Sequence, residues 1–170
     1  MIALVKSNPD YTFARAFLAM WHFMAARAYD NHEKIFQVMS LSIRELEKAD
    51  EVETADLHEW MVVQYCKGII LTAIHSPAEY LQCGIKAFQD ILQKKSDLDQ
   101  LYAGRMIFYS KWLWPNIYFF LGKAYLNNRR YDDALKILQK GMTFEMMPPY
   151  KERLQMANRR PERKKNLLSA

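Results

Sequence analysis

Apolar positions recur every three or four residues along most of this chain, and polar or proline-bearing breaks cut the pattern into helix-length segments. Asn8-Pro9 pairs a capping side chain with a proline suited to a first helical turn. After it Phe13, Phe17, Met20, Trp21, Met24 and Ala28 advance by three and four, predicting a helix over about residues 9–30. Ala14, Ala25 and Ala26 supply a flat second face, so the helix can be packed on two sides. Asp30-Asn31-His32 interrupts the pattern. A second helix, about 33–48, carries Ile35, Met39, Ile43 and Leu46 on one stripe and closes an αα-hairpin. Residues 49–55 are acidic and aperiodic, and read as a connection to a helix over about 56–74 with Trp60, Val63, Ile70 and Leu71. Ser76-Pro77-Ala78-Glu79 has the form of a capping box for a helix reaching about Lys94, with Gly84, Ile85, Phe88, Ile91 and Leu92 inward. Ser96 to Asp99 reads as another cap, opening a helix that includes Leu101, Met106, Ile107 and Tyr109. At Trp114-Pro115 the lost backbone donor predicts a kink or a restarted helix.

From Pro115 to Pro148 the spacing is most specific. Tyr118, Leu121, Gly122 and Tyr125 share one helical face, and Ala134, Leu138 and Gly141 put small residues where a partner helix comes close. Asn127-Asn128-Arg129-Arg130 is the polar turn between them. Gly122 and Ala134 are expected at the closest approach of packed helices.

This segment resembles a tetratricopeptide repeat, a helix-turn-helix unit of about 34 residues. Tyr118 stands in the place of the usual tryptophan, Leu121-Gly122, Tyr125 and Ala134 match, Leu138 replaces an aromatic residue, and Gly141 replaces an alanine. The upstream hairpins are divergent, with turns near 31, 76 and 129. The resemblance implies an all-α fold in which antiparallel αα-hairpins stack as a short right-handed solenoid over residues 1–148, followed by a basic tail at 149–170. Six or seven helices are expected, those near 9–30, 56–74 and 115–127 lying inside. It further implies a concave groove holding a peptide or partner helix, with Asn116, Phe119, Lys123 and Leu126 at the groove positions and His22 and Arg27 as their equivalents in the first helix. Phe119 and Leu126 make that patch more apolar than a clamp for a C-terminal carboxylate.

Composition supports an ordered helical chain: only five glycines and six prolines in 170 residues, with 14% aromatic residues and ten methionines. The stretch from Phe13 to Ala28 is interrupted by Arg15, His22 and Arg27, and is shorter than the roughly 20 apolar residues of a membrane span. Charge is uneven. Residues 151–170 hold seven basic and two acidic side chains, leaving seventeen of each sign in the body. The tail cations Arg159, Arg160, Arg163, Lys164 and Lys165 offer an alternative function, contact with nucleic-acid phosphates, although aromatic residues are absent after Tyr150.

Catalytic chemistry has little support. His22, His32, His58 and His75 are dispersed, and His58-Glu59 lacks the second histidine of a zinc-protease helix. No phosphate-binding glycine loop or serine elbow occurs. Cys66 and Cys83 lie alone among apolar residues, which points to reduced thiols and a cytoplasmic setting. The six carboxylates between Glu45 and Asp56 lack calcium-loop spacing and read as a solvated connection. Met146-Met147 beside two prolines could adapt to a partner surface. The expectation is a non-enzymatic protein-interaction scaffold, without metal or cofactor, that associates with itself or with another protein and is one module of a larger protein.

Overall fold

The computed structural model describes residues 2–74, 78–103, 107–144 and 155–156, the side chains of 107–110 excepted. Among the described residues the chain is all-helical, with no strand. It forms two compact units, Met1–Leu71 and Thr72–Ala170.

The first unit contains α1 (Ile2–Ser7), α2 (Thr12–Ala26), α3 (His32–Asp50) and most of α4 (Leu57–Ala73). The α2/α3 hairpin is present as expected. Asn31 caps α3 by accepting the Lys34 backbone N–H at 3.2 Å. Two polar links hold the helices together: the buried Ser42 Oγ donates to the Ala19 carbonyl at 2.8 Å, and Arg15 pairs with Glu45 at 2.6 Å, both partly buried. The buried face of α2 consists largely of small residues, Thr12, Ala14, Ala16, Ala19 and Ala26, with Leu18 and Phe23. Small side chains allow α3 to come close. This corrects the expected core stripe, because Phe17, Trp21 and Met24 are exposed.

The expected helix start at Pro9 is also corrected. Asn8 closes α1, its side-chain amide donating to the Leu4 carbonyl and to Ser7 Oγ, and α2 begins only at Thr12. Six residues are too few for a visible period, but Val5 anchors α1 by packing with Ala14 and Leu18.

The second unit contains α5 (Ala78–Gln93), α6 (Lys95–Tyr102), α7 (Ile107–Asn127) and α8 (Tyr131–Met142). Of the inward residues expected of α5, Gly84, Ile85, Phe88 and Ile91 are buried and Leu92 is half-buried. The capping box at Ser76-Pro77 falls outside the described residues. Ser96 does not cap α6, which starts one residue earlier behind Lys94 without a side-chain cap. Of the kink or restart expected at Trp114-Pro115, the restart does not occur: α6 ends at Tyr102, and α7 runs from Ile107 through Pro115 to Asn127 as one helix.

An interior proline costs about 3 kcal/mol in an isolated helix. Here Pro115 is fully buried and flanked by buried Leu113, Trp114, Ile117 and Tyr118, so tertiary packing offsets that cost. Asn116 Nδ2 donates to the Trp112 carbonyl at 2.7 Å, adding a donor in the turn that the proline depletes.

The α7/α8 hairpin follows the spacing closely. Tyr118, Leu121, Gly122, Tyr125, Ala134, Leu138 and Gly141 are all buried. Its turn is a Schellman cap: the Arg130 N–H donates to the Tyr125 carbonyl at 2.9 Å, the Arg129 N–H donates to Leu126 at 3.1 Å, and Arg129 adopts φ 58°. The Arg130 guanidinium lies 4.5 Å from the Tyr125 ring centroid, closing the cap from outside.

Candidate functional site

The six expected groove residues divide between the two units. In the second, Asn116 is buried and committed to the Trp112 carbonyl. Phe119 and Leu126 are half-buried against Leu138 of α8, inside their own hairpin. Lys123 is exposed. In the first unit His22 is half-buried, while Arg27 is exposed at the end of α2 with its guanidinium 6.0 Å from the Phe23 ring centroid. Arg159, Arg160, Arg163, Lys164 and Lys165 lie outside the described residues, as do Met146 and Met147.

The sequence pattern placed in the core a surface that the fold leaves uncovered. Phe17, Trp21 and Met24 follow one another at helical spacing along α2 and are 41%, 69% and 54% exposed, and Phe36 on α3 is 74% exposed. Hydrogen bonding and charge pairing place residue 42 beside 19 and residue 45 beside 15, so the antiparallel register puts Phe36 near the Met24 end of the stripe. Exposed residues at the same end include Arg27, Tyr29 and Lys34, whose ammonium sits 5.0 Å from the Tyr29 ring centroid.

At the opposite end of α2 a carboxylate acts structurally. Glu59 Oε1 accepts the Thr12 hydroxyl at 2.5 Å and the Phe13 N–H at 3.0 Å, while Oε2 accepts the Thr54 hydroxyl at 3.0 Å. Burial pushes the Glu59 carboxyl up, but these three donors outweigh it and hold the group below the usual glutamate range. Asp56 caps α4 through the Glu59 N–H at 2.8 Å. The Glu59 side chain thereby replaces the cap that α2 lacks, since Tyr11 supplies none.

Beside this junction a cleft of about 470 Å³ opens between the end of α3 and the first turns of α4, lined by residues 49–50, 52–55, 60 and 63–64. The carboxylate-rich run in the sequence marked this position without revealing a cavity.

In the second unit, Trp114 Nε1 donates to Asp99 at 2.9 Å, and the Lys95 ammonium pairs with Asp99 while lying 4.6 Å from the Trp114 ring centroid. This cluster joins α6 to α7. Tyr118, beside Asp99 and with its ring tilted against Phe144 at 5.3 Å between centroids, has its hydroxyl pushed up by burial first and by that carboxylate second. Cys66 is buried, and burial alone raises its thiol to about 12, far from a reactive thiolate; Cys83 is exposed.

Among the described residues no group of three or more His, Cys, Asp or Glu side chains could hold a metal ion, and no helix is long and apolar enough to cross a membrane. Comparison with protein-family models, curated proteins and solved structures finds no match to this chain.

Proposed function

We propose that the chain is a non-enzymatic interaction module that binds a protein partner, with another copy of itself as the simplest case. The observation that supports this is the row Phe17, Trp21 and Met24 with Phe36, four large apolar side chains exposed on a single hairpin. Fully burying each one is worth about 1.5–3 kcal/mol, and soluble monomers rarely leave such a group together in water. A partner helix laid along α2 would meet the stripe at the three- and four-residue spacing of its own apolar face.

The tetratricopeptide-like reading belongs to this proposal. The α2/α3 and α7/α8 hairpins are the kind of unit such arrays stack, and buried Gly122 and Ala134 suit their close packing. Lys123 and Arg27 are the exposed members of the expected groove set, whereas Phe119 and Leu126 serve the hairpin core.

Light scattering across a wide concentration series tests the self-association directly. Mass should rise with concentration for the native chain and should not for the double variant Trp21→Ser, Phe36→Ser, with helicity unchanged. A native chain that stays monomeric throughout, and whose Trp21 emission is unmoved by amphipathic helical peptides, would overturn the proposal.

A further inference from the structure

We propose that the cleft between α3 and α4 receives an arginine side chain from a partner peptide. Its polar lining keeps two groups of hydrogen-bond acceptors that the fold does not use up, on Gln64 and on Glu53, while the Asp50 carboxylate and the Thr54 hydroxyl are engaged within the fold. Gln64 is only 9% exposed, and its Nε2 donates to Asp50 Oδ1 at 3.0 Å. A carboxylate can only accept, so this bond assigns the orientation of the amide and leaves Gln64 Oε1 as the other end. That oxygen has no donor among the described residues.

Asp50 is neutralised by Lys67, which engages its second oxygen. Glu53 is different. Its carboxylate is exposed at the cleft and has no ion pair among the described residues, and no basic side chain lines the cavity. The remaining walls include Val52, Val63 and Trp60.

These groups favour an occupant that is a cation, rich in donors and attached to an apolar stem. Guanidinium meets each requirement: its planar fork carries five N–H donors for Gln64 Oε1 and the Glu53 carboxylate, which line the same cleft, and its methylene stem suits the valines beside them. The Trp60 ring adds attraction for a cation over its face. Ammonium offers a point charge without the fork, so lysine is the weaker ligand. The site shares no residue with the exposed stripe of α2 and α3, and failure of either proposal leaves the other intact.

Titration of the full chain with acetyl-Gly-Arg-Gly-amide, reading the assigned Trp60 indole N–H by NMR, tests the assignment. The resonance should shift saturably. The lysine peptide should bind about two- to fivefold more weakly, as should the arginine peptide to the Glu53→Gln variant, the range expected for one partly exposed charge pair. The peptide carrying citrulline, uncharged and nearly the same shape, should bind more weakly still, since it loses two N–H donors along with the charge. Glu53 is exposed, so its substitution leaves folding intact. Equal binding of citrulline, an unchanged affinity in Glu53→Gln, or a Trp60 resonance that does not move would each overturn the proposal.

Discussion

Gly122 on α7 lies directly against Leu138 on α8: a Cβ on the glycine would sit 2.6 Å from both Cγ and Cδ2 of the leucine. Leu138 is fully buried, with Phe119, Leu126 and Met142 packed around it, so it has little freedom to withdraw. Overpacking costs about 1–3 kcal/mol, against about 1 kcal/mol gained by replacing a helical glycine with alanine. Gly122→Ala should therefore lower stability by up to about 2 kcal/mol in chemical denaturation. Leu138→Ala should be less costly in the Gly122→Ala background than alone, and strict additivity would show that the two side chains do not compete for space. Ala134, fully buried on α8, should likewise resist enlargement: Ala134→Leu should lower the melting temperature.

Glu59 should make the first unit sensitive to acid. Its carboxyl titrates below the usual glutamate range in the folded chain, so the unfolded state takes up the proton first as pH falls. The stabilisation is complete above the ordinary glutamate range and is lost as pH drops through the lower folded value. Urea denaturation at neutral pH and at successively lower pH should show this loss, diminished in Glu59→Gln. Glu59→Ala should cost about 1–3 kcal/mol at neutral pH, because it strips an acceptor from the buried Thr12 hydroxyl. A variant with the same pH profile as the native chain would remove Glu59 from that role.

Arg129 pays a steric penalty for φ 58° that glycine would not. Arg129→Gly relieves about 1–2 kcal/mol of that strain and returns part of it through the greater freedom of glycine in the unfolded chain. A net gain of about 0.5 kcal/mol is expected in thermal or denaturant unfolding. Arg129→Val should be destabilising, since a β-branched side chain fits the left-handed region worst.

The basic tail is expected to bind nucleic acid only weakly, because the body carries equal numbers of acidic and basic residues. Binding of an arbitrary duplex, followed over a salt series before and after removal of residues 158–170, decides this. Tight binding with a steep salt dependence that vanishes on truncation would assign phosphate recognition to the tail and favour the nucleic-acid function.

Local signals in the sequence determine much of the helical layout. Asn31 marks the start of α3 and Asp56 that of α4, because each side chain satisfies an N–H only three residues away. The α7/α8 hairpin is legible for a similar reason: its small and aromatic residues repeat within one contiguous stretch. The tertiary structure decides what depends on a neighbour distant in sequence. Helix α2 carries two faces able to be buried, and only the approach of α3, fastened by Ser42 and Arg15, selects the small-residue face and leaves Trp21 in water. Thr12 meets the carboxylate that caps its helix across 47 positions of chain. The helix continues through Pro115 because surrounding burial outweighs a backbone preference that the sequence expresses correctly. The cleft at Gln64 likewise exists only once α4 has folded beside the end of α3, since an orphaned acceptor is a property of packing and not of any one residue.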